Sequence, residues 1–202
     1  MLEVLQKLET VDRNKICKKI ASFLNFLHNN NTLNGDKILP VTLPNFFTLK
    51  NCYEYVEPIL STAQRKKLLD LIDKFSKRTV SDEVTTRVHY DLRLPNILYN
   101  KENKTLAIID FECIREDNIY YDFCPRVTPR LPIDISSEII KYYNQKARNK
   151  INIDKVKLFY NIFSIYEICT CSKFRDKIDL TNTTNEKCNE VYACISNIIN
   201  NL

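Results

Sequence analysis

Three polar residues near the middle of the chain have the types and spacing of a metal-dependent transfer site. Asp91 lies five residues before Asn96, and Asp110 lies fourteen residues after Asn96. The apolar stretches 96–99 and 105–109 are separated by a polar turn whose two Asn residues tolerate positive φ. Because a hairpin brings its ends together, we expect Asn96 and Asp110 to be neighbours. An amide oxygen and a carboxylate in that arrangement can hold a magnesium ion that keeps water or phosphate as its other ligands.

The motifs around these residues match those of kinases. Residues 89–96 read His-Tyr-Asp-Leu-Arg-Leu-Pro-Asn, the catalytic-loop pattern H-x-D-L-x-x-x-N, and residues 110–112 stand where kinases place their metal-binding Asp-Phe-Gly. Two details, Ile-Asp-Phe-Glu at 109–112 and Tyr-Asp-Phe at 121–123, resemble the aminoglycoside phosphotransferase and choline kinase superfamily of small-molecule kinases. The Asp of the second element follows Asp110 by twelve residues, as in that family. Three motifs in order at the right separations make the resemblance specific.

The resemblance implies transfer of the γ-phosphoryl group of ATP to a hydroxyl of a small molecule such as choline, ethanolamine or an aminoglycoside. Asp91 would accept the hydroxyl proton or orient the nucleophile, and Asn96 and Asp110 would hold Mg²⁺ against the phosphates. Positioning and charge neutralisation supply nearly all of the catalysis in phosphoryl transfer. These three residues therefore carry the expected chemistry.

Five further residues are expected to support the site. Leu98 and Ile109 occupy positions at which the family places apolar residues under the adenine and behind the metal. Arg93 lies two residues after the expected base, where protein kinases often place a cation that touches the transferred phosphate; a plain surface arginine is the alternative. His89 is expected to pack and hydrogen-bond behind the catalytic loop, and Asp122 to act as a structural cap of the segment that follows it.

Composition narrows the class of protein. Of the 202 residues, 44% are hydrophobic and 27% charged, which is typical of a soluble globular chain long enough to bury a core. The net charge of +5 is spread without a Lys/Arg block, so binding to nucleic acid is not indicated. We find no membrane-spanning run and no signal peptide at the start, so we expect a cytoplasmic protein. Its eight cysteines are expected to be reduced thiols.

Hydrophobic periodicity predicts a mostly α chain with a small β-hairpin. Ser61 opens a capping box, and Ser136 and Asp154 are predicted N-caps of later helices. The first helix, which ends at His28, resembles the first long helix of the C-terminal lobe in this kinase family. Residues 113–135, broken by three Pro, are expected to form an irregular loop. The predicted helices cover residues 12–28, 49–60, 61–78, 136–147, 154–174 and, from Thr183 or Thr184, to about residue 200.

The resemblance covers residues 13–172 and corresponds to the C-terminal lobe of a protein-kinase-like fold. We therefore expect a single domain over residues 1–202 with the N-terminal lobe absent. The sequence holds one glycine, Gly35, and so has no Gly-rich loop to cover phosphates. About a dozen residues precede the first long helix, too few for the sheet of an N-terminal lobe. The expected partners are thus a small-molecule hydroxyl substrate and a separately encoded N-terminal lobe.

Two alternatives stand beside an incomplete kinase. A degenerate remnant or pseudokinase would keep the fold and the motif as a binding module without turnover. A helical protein of unrelated function would carry the motif by chance, which the three-part spacing disfavours. Retention of all three expected catalytic residues favours the enzyme, whereas the missing lobe favours the pseudokinase.

Overall fold

The structure, a computed structural model, describes residues 10–29, 46–81, 84–100, 102–124, 131–172, 178–180 and 186–201. Helix dominates these residues, and the strands form two antiparallel pairs. The predicted class, mostly α with a small β-hairpin, is confirmed. In chain order the elements are α1 (Thr10–Asn29), α2 (Phe46–Val56), α3 (Thr62–Ser81), β1 (Thr85–Val88), β2 (Ile97–Asn100), β3 (Thr105–Ile108), β4 (Arg115–Asn118), α4 (Ile133–Lys146), α5 (Ile153–Thr170) and α6 (Glu186–Asn200).

The predicted hairpin is formed by β2 and β3, which pair antiparallel. Its turn differs from the prediction, because Lys104, and neither Asn, adopts positive φ, at 54°. The Asn side chains instead accept backbone bonds: Asn100 Oδ1 from Glu102 N at 2.9 Å, and Asn103 Oδ1 from Thr105 N at 3.1 Å. Asn often serves turns in this way, by imitating a backbone acceptor.

The predicted loop over residues 113–135 is wrong in its first part. Residues Arg115–Asn118 form β4, which pairs antiparallel with β1, and a 3₁₀ turn follows at Ile119–Asp122. The strand reads Arg-Glu-Asp-Asn, so it has no apolar alternation from which a strand could be predicted. Backbone pairing with a distant segment forms it. Residues 125–130 lie outside the described part of the chain.

One predicted helix cap is confirmed and two are wrong. The capping box at the start of α3 is present, with Ser61 N donating to Gln64 Oε1 at 3.1 Å and Gln64 N donating to Ser61 Oγ at 3.4 Å. Ser136 instead lies inside the first turn of α4, because the helix begins three residues earlier and Ser136 N already donates to Pro132 O at 2.9 Å. Proline suits that position because a helix start needs no amide hydrogen there.

Asp154 does not cap α5. Asn152 takes that role, since its Oδ1 accepts from Asp154 N at 2.8 Å and from Lys155 N at 3.4 Å. Asp154 lies in the first turn, where its charge complements the helix dipole. The predicted end of this helix near residue 174 and the predicted start of the last helix at 183 or 184 lie outside the described residues.

The chain divides into two compact units, of which the first comprises Met1–Val41 and Glu83–Tyr160. Here α1 packs against α4 and β1. The α1 side chains Ile16, Ile20 and Leu24 are fully buried, so apolar burial at helical spacing forms this core. At one end Arg13 Nε donates to Glu138 Oε2 at 2.9 Å, joining α1 to α4.

The second unit comprises Thr42–Asp82 and Asn161–Leu202. Its α3 contacts both α2 and α6. Phe75 and Phe163 meet edge to face with ring centroids 6.3 Å apart, and Gln64 Nε2 donates to Ser196 Oγ at 3.1 Å. The single-domain prediction stays a prediction. No helix among the described residues is long and apolar enough to cross a bilayer, and all eight cysteines are free.

Candidate active site

The loop between β1 and β2 brings the predicted base and one predicted metal ligand together. Two tight backbone bonds close it, from Arg93 N to Asp91 O at 2.8 Å and from Asn96 N to Arg93 O at 2.9 Å. The Asn96 side chain then turns back, so that Nδ2 lies 2.8 Å from both the backbone oxygen and the carboxylate of Asp91. The five-residue spacing is therefore the length of this turn.

The hairpin delivers Asp110 to the same amide. Ile109 N donates to Asn96 O at 3.0 Å, which extends the β2–β3 ladder by one bond. Asn96 Nδ2 then lies 3.3 Å from Asp110 Oδ2. The two residues predicted to be neighbours are in contact, and the Asn96 amide lies between two carboxylates.

The donors in this cluster fit a hard cation. Asn96 is buried and directs its Nδ2 at both carboxylates, so its Oδ1 is the amide atom that could bind a cation, and Asp110, at intermediate exposure, offers a carboxylate. The described residues contain no group of three His, Cys, Asp or Glu side chains placed to hold a metal. The pair could therefore bind Mg²⁺ only together with water or phosphate oxygens, as Mg²⁺ often binds at phosphoryl-transfer sites.

The site is a region of negative charge with one cation beside the predicted base. Burial raises the pKa of the Cys113 thiol, and the carboxylates of Asp91, Glu112 and Asp110 raise it further. Arg93 opposes them, because its Nε lies 2.9 Å from the Asp91 carboxylate. The structure thus places Arg93, whose side chain is 30% exposed, beside the predicted base.

Two residues of the site have backbone conformations that side chains with a Cβ usually avoid. Tyr90, directly before the predicted base, has φ 70°, and Asp110 has φ 68°. Left-handed conformations at non-glycine residues cost roughly 1 kcal/mol and persist only where the surroundings enforce them. The contacts that enforce them come from Asp122 and His89.

The Asp122 carboxylate is fully buried behind the loop. It accepts from His89 N at 3.0 Å and from Tyr90 N at 2.8 Å. His28 Nε2 lies 2.9 Å from the same carboxylate, and His28 Nδ1 lies 2.9 Å from the Tyr143 hydroxyl. Because a carboxylate only accepts, His28 Nε2 must donate to it. Asp122 therefore holds the loop from behind and faces the preceding motif, not the segment that follows it.

Tyr143 completes this network as a neutral group. Burial, and then the negative charge of Asp122, raise the pKa of Tyr143 well above its usual range. The hydroxyl hence keeps its proton, and its oxygen lies 2.9 Å from His28 Nδ1. A fully satisfied buried network of this kind fixes one geometry for the backbone that it contacts.

The Tyr90 side chain contacts Arg115 and Tyr121. The Arg115 guanidinium carbon lies 3.0 Å from the ring centroid, and the Tyr121 ring lies 5.0 Å away. Arg115 Nε is in turn 3.2 Å from Asp117 Oδ2. The β1–β4 pairing places Arg115 here, so the strand pair that the sequence did not predict supports the loop that carries Asp91.

His89 lies fully buried behind the loop, as its packing role requires. Its Nε2 lies 3.0 Å from Ile109 O, which ties the loop to the residue before Asp110. The His89 ring also lies 5.0 Å from that of Phe111 and 6.3 Å from that of Phe23 on α1. The imidazole thus links the two halves of the site.

Leu98 and Ile109 form part of an exposed apolar face. Each is 39% exposed, a large fraction for such side chains. Leu98 pairs with Ala107 across the hairpin, and Ile109 lies two residues beyond Ala107, so all three share one face. This face could accept a flat apolar ring.

The buried network of His28 and Tyr143 behind the loop is not predicted from the sequence. His28 contacts Asp122 across 94 residues, and Tyr143 contacts His28 across 115. Contacts between residues so far apart in the chain leave no local pattern in the sequence. The sequence alone therefore gives no signal from which these contacts could be predicted.

Solved structures with the same fold include phosphotransferases and kinases of small molecules. The gentamicin complex of APH(2'')-IIa matches with TM-score 0.63 and 17% identity, over 100% of this chain and 66% of that one. Choline kinase LicA from Streptococcus pneumoniae matches with TM-score 0.56 and 13% identity, over 96% and 66%. Plasmodium vivax ethanolamine kinase matches with TM-score 0.50 and 16% identity, over 93% and 60%. The chain spans about two thirds of the length of these structures.

The comparison with curated proteins found no significant match. The model of the phosphotransferase enzyme family (APH) matches residues 2–159, which include both halves of the candidate site. The matched region is more than three quarters of the chain, and the fold and the three motifs agree with it. The chain therefore belongs to the phosphotransferase enzyme family.

Proposed function

We propose that this chain carries the catalytic loop and the metal pair of an ATP-dependent small-molecule phosphotransferase. The observation that carries the proposal is the Asn96 amide, which lies 2.8 Å from the Asp91 carboxylate and 3.3 Å from that of Asp110. A base and a metal site must be adjacent when a hydroxyl attacks a metal-bound phosphate.

In the proposed reaction the substrate hydroxyl oxygen attacks the γ-phosphorus of ATP. A new O–P bond forms, the bond from the γ-phosphorus to the bridging oxygen breaks, and ADP leaves with that electron pair. Asp91 orients the hydroxyl and accepts its proton. Asn96 Oδ1 and the Asp110 carboxylate would hold Mg²⁺, which when bound neutralises charge on the phosphates.

Arg93 is proposed to serve the transferred group. It already lies 2.9 Å from the Asp91 carboxylate, so a phosphate next to the base would be within reach of its guanidinium. A guanidinium suits this task because it presents several donors to phosphate oxygens at once. The positive charge would offset the carboxylates around it.

The adenine is proposed to lie on the face formed by Leu98, Ala107 and Ile109. Two observations support this placement. These side chains are partly exposed, and nucleotide is bound in solved structures with this fold. Those structures include an ATP ternary complex of APH(2'')-IIa and ADP-bound APH(2'')-Ib. The proposed co-substrate is therefore ATP.

The proposed substrate is a small molecule with a free hydroxyl, of the amino-alcohol or aminoglycoside type. This class is supported by similarity to a choline kinase, an ethanolamine kinase and gentamicin-bound APH(2'')-IIa. We further propose that the reaction takes place in the cytoplasm. Free thiols at all eight cysteines suit a reducing compartment.

A non-catalytic nucleotide-binding module is the second candidate. It is favoured by the 66% coverage of the matched structures, because phosphoryl transfer needs groups on both sides of the phosphates. The two candidates share nucleotide binding and differ in turnover. Phosphorylation of choline, ethanolamine or an aminoglycoside by the chain, lost in Asp91→Asn, would select the enzyme.

Thermal unfolding with and without Mg²⁺-ATP tests the shared part of the proposal. Ligand at about a hundred times its dissociation constant adds about 2.7 kcal/mol of stability, which raises the melting temperature by a few degrees. We expect Asp110→Asn to abolish this rise and Asp134→Asn to keep it, because Asp134 is an exposed acid on α4, away from the cluster. An equal rise in wild type and Asp110→Asn, or none in either, would contradict the proposal.

A further inference from the structure

A groove on the other face of the hairpin has a chemistry opposite to that of the metal pair. It encloses about 440 Å³ between α1 and β3. This volume lies within the range of sites for small organic ligands, ~300–1,000 Å³. Its wall on α1 carries Lys18, Lys19 and Ser22, and none of the described residues that line it is acidic.

The two ammonium groups of the groove have no carboxylate partner among the described contacts. Lys19 Nζ donates to the backbone oxygen of Lys104, and Lys18 Nζ lies 5.1 Å from the centroid of the Tyr142 ring. Both side chains are exposed on the same turn of α1. Their charge is therefore available to an anion, and the Ser22 hydroxyl, one turn further, adds a neutral donor.

The floor of the groove is apolar. Leu106 and Ile108 alternate along β3, so both point to the side opposite the face that carries Ala107. The rings of Phe23 and Phe111 also line the groove, with centroids 6.0 Å apart. Phe111 is 46% exposed, so its ring presents surface to a ligand.

We propose that this groove binds a small amphipathic anion: an aromatic or aliphatic body that lies on the apolar floor, and a carboxylate, sulfonate or phosphate that pairs with the two lysines. The site is distinct from the proposed phosphotransfer site, because its apolar floor, Leu106 and Ile108, lies on the hairpin face opposite to Ala107 and its cations belong to α1. Recognition needs both parts, since a floor without the cations would bind neutral rings equally well. The inference does not depend on the proposed phosphotransferase activity.

The probe is 8-anilinonaphthalene-1-sulfonate, an amphipathic anion whose fluorescence rises in an apolar environment. We expect saturable binding with one molecule per chain. The double variant Lys18→Gln/Lys19→Gln should weaken it about tenfold, which corresponds to ~1.4 kcal/mol. Glutamine keeps the length of the side chain and a donor, so far-ultraviolet circular dichroism should show an unchanged fold.

The matched control is Lys66→Gln/Lys67→Gln. These are also adjacent exposed lysines on a helix, and Lys67 Nζ also donates to a backbone oxygen, that of Ile199. The control lowers the net charge of the protein by the same amount as the test variant. It therefore shows how much of any loss of affinity comes from net charge alone. We expect it to leave the affinity unchanged.

A second variant tests the location. Ser22→Trp places a large ring at the mouth of the groove from an exposed helix position, which should not disturb the core. It should abolish binding, and 1-naphthalenesulfonate, but not neutral 1-naphthylmethanol, should displace the probe from wild type.

Three results would overturn the proposal: an affinity equal in wild type and Lys18→Gln/Lys19→Gln, binding that survives Ser22→Trp, or equal displacement by the neutral alcohol. Absence of saturable binding in wild type would also overturn it, and would leave the groove as a surface for an acidic polypeptide.

Discussion

At the scale of single residues, Asp122 holds the backbone of the loop that carries the predicted base Asp91. The two oxygens of Asp122 accept the amides of His89 and Tyr90 and the His28 imidazole, at 2.8–3.0 Å. These contacts hold Tyr90 at positive φ, directly before Asp91. The position of the predicted base thus depends on a buried charge on the other side of the backbone.

We expect Asp122→Asn to destabilise the protein by about 2–4 kcal/mol, because the amide nitrogen would face a donor and the buried His28 would lose its charged partner. Urea unfolding measures the loss. The control is Asp134→Asn, whose side chain is 59% exposed and 3.7 Å from Arg13. Its effect should stay below about 0.5 kcal/mol. Equal effects in both variants would refute the structural role of Asp122.

Cys17 should make stability depend on alkaline pH. Burial, and then the nearby Glu138 carboxylate, raise the pKa of Cys17 to about 12. Above the usual thiol pKa of about 8.5 the unfolded chain therefore loses a proton that the folded chain keeps. The unfolded state then binds fewer protons, so the free energy of unfolding falls as pH rises from about 9 towards 12.

Cys17→Ala should remove this part of the pH dependence, which approaches ~1.4 kcal/mol per pH unit. Urea unfolding of both proteins at pH 7.5, 9 and 10 provides the comparison. The difference between wild type and variant should shrink with rising pH. The exposed Cys194 offers the control, since Cys194→Ala should leave the pH profile unchanged. Parallel profiles for all three proteins would contradict the expectation.

At the scale of elements, the β2–β3 hairpin connects the Asn96–Asp110 pair to the exposed apolar face and to the groove. One face carries Leu98, Ala107 and Ile109, and the other carries Leu106 and Ile108. A shift of one residue in register would exchange these faces and separate Asn96 from Asp110. The turn that sets the register is therefore part of the site.

Lys104 is the strained residue of that turn, with φ 54° and an exposed side chain. Lys104→Gly should stabilise the protein by about 0.5–1 kcal/mol, because relief of the left-handed conformation exceeds the entropy cost of glycine. The bond from Lys19 to residue 104 survives, since it uses the backbone oxygen. Thermal unfolding tests this.

Glu102→Gly is the matched control, an exposed position in the same turn that is not among the residues with positive φ. There glycine should bring only its entropy cost, so stability should fall slightly. A gain of similar size in both variants would show that the turn is not strained at Lys104.

At the scale of the whole molecule, the chain forms two compact units, and α5 contributes to both. We nevertheless propose that it unfolds as one domain, as the sequence predicts. A helix whose residues serve two cores couples their unfolding, because half of it cannot lose its packing without weakening the other half.

Hydrogen exchange followed by mass spectrometry tests this coupling. Amides in α1, from the first unit, and in α6, from the second, should report the same free energy of opening. Peptides from the exposed β2–β3 turn should exchange faster and serve as the internal reference. If the opening free energies of α1 and α6 differ, and the difference persists when urea is added, the two units unfold separately.

The local part of this protein was determined by the sequence alone. The contact between Asn96 and Asp110 follows from two short strands and one turn, and the length of α1 follows from apolar residues at helical spacing. The capping box at Ser61 is a four-residue pattern. Each of these features depends on residues near one another in the chain, so a local reading of residue types is sufficient.

Tertiary structure decided the rest. The pairing of β4 with β1, the contacts of Asp122 with His28, and the groove between α1 and β3 join segments distant in the chain. A charged strand and a helix-terminal His have no distinctive local pattern, because their conformations are stabilised by partners and not by their own propensities. The sequence therefore determined which residues could do chemistry, and long-range packing decided what holds them in position.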